Sequence, residues 1–504
     1  MKTKLLVLLL ALAMLITAFA SCTTKKVKPQ TPNNNNNQQQ NNQTPGDEEE
    51  TEETIQPPSF GSAVFDIETV RVMERDGCWK EEWDPEAESN PVLEEALVEK
   101  VGYLTEKYDF ELEVLRVHVD NTAKTLGNSI LAKNGAYDFI TFPSMHTNTL
   151  AVKGYFHILQ EIDYIDLTQP WWHQKLNTAI EYKGSNFYAV GSSNLCSMWV
   201  ASGVFFNKDI AEKRGYSISD IYDMVMDHTW TIEKMVELAT DVYVDDGDEQ
   251  PSENDIFGIT QANGWYPAFY GTGLSFTEKD ADGKFVAAPI NESIIDTLTT
   301  IINYENNEKM SVPADEHPTA GSIDEWRQFT DGKALFLVEG IQVSDRARRS
   351  ETEYGILPSP LLAEGQAEYY SAIHQGHNSS VAIPVDARFP EQIGILIEES
   401  NYISRVEVWP AFYDILLKGQ VARDPESAEI LDIIFENLTL DPAMLYSTAY
   451  DHAIRRMIRE NKPNEVKSTL EGLVASTQNS FNITMEAFDA VLAGTLKPTD
   501  GDFN

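Results

Sequence analysis

The chain has 504 residues and an unbalanced charge, with 38 basic and 80 acidic residues and a formal net charge of −42. Such a field repels nucleic acid, phosphorylated ligands and anionic polymers, so an uncharged ligand is favoured and no nucleic-acid partner is expected. About 450 residues follow the low-complexity N-terminal region, which is too many for one hydrophobic core and indicates two or more domains.

The N-terminus has the order of residues that is typical of an export signal. Two lysines precede an apolar run from residue 5 to residue 20, which is short for a membrane span because a span needs roughly 20 residues. A pair of small residues directly precedes Cys22. Residues 1–21 therefore resemble a bacterial lipoprotein signal peptide, in which Cys22 becomes the lipidated first residue. An ordinary cleaved signal peptide is the alternative.

Residues 22–57 are the predicted lipid anchor and tether. The stretch is rich in Asn, Gln and Pro and contains an acidic block, so it has too little apolar surface to offset the entropy of ordering and is predicted to be disordered. A tether of about 35 residues has a typical reach of about 30–35 Å. We therefore expect the protein to work at the extracellular face of the cell membrane, held there by its lipid anchor.

From residue 68 onward, short β-rich runs alternate with amphipathic helices. The runs "ETVRVM", "FELEVLRVHV" and "YDFITF" are predicted strands, and "NPVLEEALVEKVGYLTEKY" and "TAKTLGNSILAKNG" are the helices between them. This order predicts a parallel sheet covered on both faces. The same order restarts after Gly191, with strands in "WVASGVFFN", "DIFGIT", "GKALFLVE", "YGILPSP" and "SSVAIP". The sequence thus predicts an α/β protein whose last hundred residues are mainly helical.

Three local signals define particular elements. Thr231 is the predicted N-cap of the helix in "TWTIEKMVELATDVY", which makes the preceding Trp230 a packing residue. The run "FTEKDADGKFVAAP" predicts a hairpin that turns at Asp282-Gly283. The first helix has a predicted apolar stripe at Leu93, Leu97, Val101, Leu104 and Tyr108.

Ligands of open parallel sheets bind beyond the carboxyl ends of the strands. The residues that follow the predicted strands combine aromatic rings with amides, hydroxyls and carboxylates, a mixture that suits a sugar. The candidate ligand-binding residues are Trp83, Ser144, His146, Trp265, Tyr266 and Glu339. Each has an alternative, because a tryptophan can pack on its own domain and Glu339 can form an ion pair with a neighbour such as Arg346.

The sequence lacks the common catalytic and cofactor motifs. It has no Gly-x-Ser-x-Gly elbow, no His-Glu-x-x-His, no phosphate-cradling loop and no dinucleotide-binding glycine fingerprint. No cofactor is predicted, and a glycosidase pair of carboxylates has no motif to support it but stays open. The acidic loop near Asp245 lacks the spacing of an EF-hand, so a solvated loop is favoured over a metal site. Cys78 and Cys196 are expected to be buried thiols, and a single disulfide between them is the alternative.

Longer runs of the sequence resemble a known family. "IDLTQPWWHQKLNTAIEYKGSNFYAVGSSNLCSMWVASGVFFNKDIAEKRG" and "HTWTIEKMVELA", followed by "GKALFLVEG", "YGILPSP" and "SSVAIP", resemble the extracellular solute-binding proteins of family 1, the carbohydrate-binding lipoproteins of ABC importers. The resemblance covers nearly all of residues 65–460. It implies a fold similar to that of maltose-binding protein, with two α/β lobes, a hinge of crossing segments and the ligand between the lobes. The implied residues are 60–192 and 376–420 for lobe one, 193–375 and 421–504 for lobe two, and crossings near 191–199 and 375–380.

The same resemblance implies a function. The protein would be a non-enzymatic receptor that closes around a neutral carbohydrate, with an oligosaccharide favoured, and delivers it to two permease subunits and a cytoplasmic ATPase. We expect it to be a monomer. By family position, the loops that hold Trp83, Ser144, Trp265 and Glu339 would face the cleft. Two alternatives stay open, namely an exported glycoside hydrolase that uses paired carboxylates and a surface interaction protein without a cleft.

Overall fold

The structure is a computed structural model that describes residues 55–77, 82–85, 88, 90–261, 265–312, 323–496 and 498. The predicted signal peptide, Cys22, most of the predicted tether and Cys78 lie outside the described residues. Within the described part of the chain, no helix has both the length and the apolar character that crossing a lipid bilayer requires.

The first stretch of the chain alternates strands and helices, as the sequence predicts. Its elements are β1 (Thr69–Arg75), α1 (Pro91–Tyr108), β2 (Glu111–Val117), α2 (Thr122–Ala132), β3 (Phe139–Phe142), α3 (Ser144–Ala151) and α4 (Gln174–Ile180). Asn90 begins α1 as its N-cap, because its side chain accepts hydrogen bonds from the amides of Val92 and Leu93. Pro91 suits the first turn, where the missing N–H has no helical partner to lose.

The buried face of α1 differs in part from the prediction. Leu93, Leu97 and Leu104 are buried together with Lys100, whereas Val101 and Tyr108 are only half-buried. Positions spaced by four, three and four residues share one face of a helix, so residue 100 belongs to the stripe by spacing. A charged group at such a position requires a buried partner.

The middle of the chain forms a second α/β part. Its elements are α5 (Leu195–Trp199), β4 (Ser202–Asn207), α6 (Lys208–Lys213), α7 (Ile218–Met226), α8 (Ile232–Ala239), β5 (Phe257–Gln261), α9 (Trp265–Gly271), β6 (Thr277–Lys279), β7 (Phe285–Ala287), α10 (Glu292–Glu305), α11 (Glu325–Thr330), β8 (Ala334–Gly340), α12 (Ser344–Ala347), β9 (Tyr354–Pro358) and β10 (Ser371–Ala372). The Thr231 side chain caps α8 by accepting a hydrogen bond from the amide of Lys234, and Trp230 is fully buried. The predicted hairpin is confirmed as β6–β7, which turns through Gly283 at a φ of 74°.

The C-terminal part is mainly helical, as predicted. Its elements are β11 (Ser380–Ala382), α13 (Pro390–Ile403), α14 (Pro425–Glu436), β12 (Leu438–Thr439), α15 (Pro442–Tyr446), α16 (Ala449–Arg459) and α17 (Val466–Leu492). Between α13 and α14 the chain is wound as a π-helix over Ser404–Val408 and again over Ala411–Val421. This form is rare, and proteins frequently use it at functional sites.

Two four-stranded sheets organise these elements. Sheet one has the order β11-β3-β1-β2, with β1, β2 and β3 parallel and β11 antiparallel to β3. Sheet two has the order β5-β8-β4-β9, with β5 parallel to β8 and β4 antiparallel to both of its neighbours. The predicted parallel sheet is therefore present in sheet one, with one antiparallel strand at its edge. In each sheet the parallel strands end at one common edge, which we call the carboxyl edge.

Two crossing segments connect the sheets. The first crossing segment comprises residues 189–201 and the second comprises residues 373–381. They pair at both ends through antiparallel bridges, Ala189 with Val381 and Ala201 with Ile373. Val381 belongs to β11 of sheet one, whereas Ala201 directly precedes β4 of sheet two. The chain thus passes twice, side by side, from one sheet to the other. The residue boundaries of the two lobes stay a prediction.

Candidate functional site

The carboxyl edges of the two sheets carry the candidate site. In sheet one, β1 ends at Arg75, and Ser144 and His146 follow the end of β3. In sheet two, Tyr266 follows the end of β5, and Glu339 lies near the end of β8. The second crossing segment passes beside both groups, so it brings them into one region.

Ser144 fastens the second crossing segment to sheet one. Its amide donates to the Asn378 side-chain oxygen at 2.9 Å, and its hydroxyl accepts from the Asn378 side-chain nitrogen at 2.7 Å. The next amide, from Met145, donates to the carbonyl of Gln375 at 3.1 Å. Because Ser144 is fully buried, the structure gives it the role of positioning this segment.

A charged guanidinium and three histidines meet at the second crossing segment. The Nη1 of Arg75 donates to the carbonyl of Gly376 at 3.2 Å, and the rings of His374 and His377 lie 4.5 Å apart. Burial and nearby positive charges, Arg75 among them, hold the pKa of His374 at about 3 and that of His377 at about 4. Burial and the Arg75 charge also lower the pKa of His146. The three imidazoles are therefore neutral at physiological pH.

Tyr266 approaches this group from sheet two. Its ring centroid lies 5.1 Å from that of His374, and the two planes are nearly perpendicular at 87°. This edge-to-face arrangement is favourable for aromatic rings. Burial raises the pKa of Tyr266, and the negative charge of Glu339 adds to the effect. The phenol therefore keeps its proton and can act as a hydrogen-bond donor.

Glu339 is held by groups of its own sheet. It accepts hydrogen bonds from the following backbone amide at 2.8 Å, from Gln342 Nε2 at 2.9 Å and from Trp326 Nε1 at 3.2 Å. The guanidinium of Arg346, the neighbour that the sequence suggested, lies 4.6 Å from the centroid of the Trp326 ring and pairs with Asp324 at 3.5 Å. Glu339 thus helps to fix the positions of Gln342 and Trp326, and a direct ligand contact by Glu339 stays a prediction.

The two predicted tryptophans lie in packed surroundings. The Trp83 ring is 4.9 Å from that of Phe139 and has Lys100 Nζ 4.8 Å from its centroid. Trp265 is fully buried, and its Nε1 donates to Asp451 at 3.1 Å. These placements match the packing alternatives, because neither ring has a free face. A direct ligand contact by either tryptophan stays a prediction.

Sequence reasoning missed Arg75, His374, Gln342 and Trp326. Arg75 could have been found, since it lies two residues after the predicted strand "ETVRVM" and thus at the carboxyl edge. Trp326 belongs to α11, which packs on β5 and β8 and directly precedes β8. Because α11 runs in the direction opposite to the strand that follows it, the helix begins at the carboxyl edge of that strand. Half-buried Trp326, near the start of α11, therefore lies at this edge. His374 and Gln342 lie in turns that give no periodic signal.

A buried carboxylate joins both crossing segments. Glu82 Oε1 accepts from the amide of Cys196 at 3.1 Å and from the hydroxyl of Ser379 at 2.5 Å, and Oε2 accepts from Asn194 Nδ2 at 3.3 Å. Asn194 and Cys196 belong to the first crossing segment, and Ser379 belongs to the second. One side chain, only 1% exposed, therefore ties the two segments together.

Lys100 is the buried partner of Glu82. Its ammonium donates to the Glu82 carbonyl and to the hydroxyl of Ser404, each at 3.3 Å. Ser404 lies 3.0 Å from the hydroxyl of Ser193 in the first crossing segment. Burial raises the pKa of Glu82 and lowers that of Lys100, and the attraction between the two opposes both shifts. Lys100, the charged residue on the apolar stripe of α1, thus helps to hold the crossing segments in place.

Cys196 is a free buried thiol, as expected. Its sulfur donates to the carbonyl of His377 at 3.1 Å, which adds one more contact between the crossing segments. The alternative of a disulfide with Cys78 does not hold for this residue.

Two other features lie away from the carboxyl edges. A cavity of about 820 Å³ opens where β4 ends and β8 begins, between Asn207 and Lys333, which is the opposite edge of sheet two. In the acidic loop, Asp245, Asp246 and Asp248 bring carboxylate oxygens within 4.8 Å of one another. An oxygen of Asp245 accepts two backbone amides of the same loop, so local turn geometry accounts for this cluster.

Comparisons with known proteins give the fold. Neither a protein-family model nor a curated protein matches the sequence. An ABC substrate-binding protein of Listeria monocytogenes in complex with cycloalternan is similar in structure, with a TM-score of 0.54, 15% identity, and 84% of this chain and 100% of that chain covered. The chain has the fold of the two-lobed solute-binding proteins.

Two further structures with this fold are similar. The sugar-binding protein MalE of Xanthomonas citri has a TM-score of 0.52 at 14% identity, with 84% of this chain and 98% of that chain covered. The GacH receptor of Streptomyces glaucescens, solved unliganded and with acarbose, has a TM-score of 0.51 at 13% identity, with 85% and 99% covered. In the solute-binding fold, sheet one and sheet two are the cores of the two lobes, and the carboxyl edges described above flank the crossing segments.

Proposed function

We propose that this protein binds a carbohydrate, an oligosaccharide in the first instance, between its two lobes and delivers it to an ABC importer. The observation that carries the proposal is that both carboxyl edges meet at the paired crossing segments. There Arg75 of sheet one hydrogen-bonds to the carbonyl of Gly376, and Tyr266, which follows β5 of sheet two, packs on His374. Aromatic rings beside hydroxyl, amide and imidazole groups suit the apolar faces and polar rim of a sugar. The similar structures named above include proteins solved with cycloalternan and with acarbose, and that agrees with this ligand class.

Closure of the lobes is the proposed mechanism. A ligand that contacts groups on both lobes binds the closed state more tightly than the open one, and only this difference in affinity can drive the motion. The crossing segments are the element that bends. Glu82 hydrogen-bonds to both segments and holds them to lobe one. The two lobes therefore rotate relative to each other about the lobe-two ends of the segments, near Ala201 and Ile373.

The cellular setting is part of the proposal. Residues 1–21 act as the signal peptide, Cys22 carries the lipid, and the tether to residue 57 lets the binding lobes reorient at the outer face of the membrane. The partners are two permease subunits and an ATPase. The protein acts as a monomer and leaves its ligand chemically unchanged. Recovery of intact oligosaccharide after incubation supports this, and release of new reducing ends would instead favour the glycoside hydrolase.

Ligand-induced stabilisation tests the carbohydrate assignment. Thermal denaturation of the mature chain with a panel of oligosaccharides should identify members that raise the unfolding free energy by about 2.7 kcal/mol when present at about one hundred times their Kd. The comparison samples contain peptides or polyamines at matched ionic strength. A transition that shifts with a peptide or a polyamine, and with no saccharide, would contradict the proposed function.

A further inference from the structure

Arg75 has an incomplete set of partners at the carboxyl edge of sheet one. Within the described residues its guanidinium makes one hydrogen bond, to the neutral carbonyl of Gly376, and Nε is buried without a hydrogen-bond partner. No carboxylate of the described residues pairs with it. Buried charges are normally paired, and within the described residues this guanidinium has no counter-charge.

The groups around Arg75 do not supply that counter-charge. His146, His374 and His377 are neutral, because burial and the positive charge lower their pKa values. The other cation that acts on His374 is Arg455 of α16, whose Nε is held by both oxygens of Asp451 at 2.8 and 3.0 Å. The charged groups that act on His374 are therefore cations, although the whole chain is strongly acidic.

The residues around Arg75 are partly exposed. The four residues 374–377 are each half-buried, as are Arg75 and His146. Tyr266 contacts His374 from the other lobe. A group bound at Arg75 therefore lies where the two lobes meet, and its contacts favour the closed state.

We propose that the ligand of this site is a short oligosaccharide that carries one carboxylate, as a uronic acid residue does, and that Arg75 binds that carboxylate. Nη1 donates to Gly376 and Nε has no hydrogen-bond partner, so the guanidinium has donor capacity left, and its planar shape matches a carboxylate in a two-point hydrogen bond. The inference rests on the proposed function. The net charge of −42 still disfavours polyanionic chains, whereas a single carboxylate is governed by the local charge.

Calorimetric titration of the mature chain tests the inference. The probes are matched pairs of disaccharides and trisaccharides in which one terminal residue is either a hexose or its uronic acid, for example cellobiose and cellobiouronic acid. A charge-assisted two-point pair corresponds to roughly 10- to 100-fold in affinity, so the acidic member of the bound pair should be tighter by that factor. The Arg75→Gln variant should lose this preference, so that the ratio of its affinities for the two members falls to about one.

Arg71→Gln is the matched control, because Arg71 lies on the same strand and pairs with the exposed Glu113. It should bind both members as the wild type does. If Arg75→Gln fails to fold, the salt dependence of the wild type decides, since added NaCl should weaken the acidic member more than the neutral one. Equal affinity of the wild type for the two members, or an unchanged preference for the acidic member in a folded Arg75→Gln variant, would overturn this inference and leave the carbohydrate proposal standing. Binding of no saccharide would overturn both.

Discussion

Replacement of Glu82 by leucine is expected to lower the free energy of unfolding by up to about 3–5 kcal/mol, because it removes the stronger of the two negative charges that act on buried Lys100 and leaves only the weaker attraction of Glu74. The remaining charge is Lys100, which is 2% exposed. The substitution also removes the acceptor that Cys196 and Ser379 share, so the two crossing segments lose their common anchor. Denaturant unfolding monitored by tryptophan fluorescence measures the change.

A double-mutant cycle separates the attraction between Glu82 and Lys100 from the loss of hinge contacts. The pair Glu82→Leu with Lys100→Met removes both opposite charges together, so its cost should be well below the sum of the two single costs. Glu99→Gln, an exposed neighbour on α1, is the control and should stay within about 0.5 kcal/mol of the wild type. Additive single effects would mean that Glu82 and Lys100 do not form a coupled pair.

The Gly191→Ala substitution is expected to cost about 1–3 kcal/mol of stability, since it inserts a methyl group into a packed site. A Cβ at this position would lie 2.1 Å from Asn401 Oδ1 and 2.9 Å from Cε3 of Trp172. That Asn401 oxygen accepts the amide of Ser193 at 3.0 Å. The first crossing segment would have to move away from α13, and ligand affinity should fall along with the unfolding free energy.

The matched control for this substitution is another glycine-to-alanine change. Gly472 lies inside α17 with no atom within 4 Å of its added Cβ. Alanine there should stabilise the protein by up to about 1 kcal/mol, because glycine is the poorer helix former. Chemical denaturation of the two variants gives effects of opposite sign if the packing at Gly191 is as described. Equal stability of Gly191→Ala and the wild type would contradict it.

Local sequence signals predicted most of the secondary structure. The strands that became β1, β2 and β3 are short apolar runs between amphipathic helices, and their order alone implied a parallel sheet. Thr231 and Gly283 marked a helix start and a hairpin turn, because capping and left-handed backbone conformations depend on the residue at one position. The resemblance to solute-binding proteins extended these signals to a two-lobed fold.

The same local signals could not predict where the side chains pack in the tertiary structure. Trp83 and Trp265 follow strands just as Tyr266 does, yet their rings lie against Phe139 and beside Asp451. Which loop aromatic folds back depends on packing between distant segments, and sequence spacing does not record that. Lys100 gave a clue that was not used, since a lysine on an apolar helical stripe requires a buried acid. Its partner Glu82 is 18 residues earlier, in a loop without periodicity.

Small-angle X-ray scattering with and without ligand tests the central claim most directly. That claim is that one ligand bridges the carboxyl edges of both lobes and so favours a closed state. With a saccharide that calorimetry has shown to bind, the radius of gyration and maximum dimension of the mature chain should both decrease, and the tether contributes equally to the two curves. A saccharide that saturates the protein while the two curves stay identical would contradict the account.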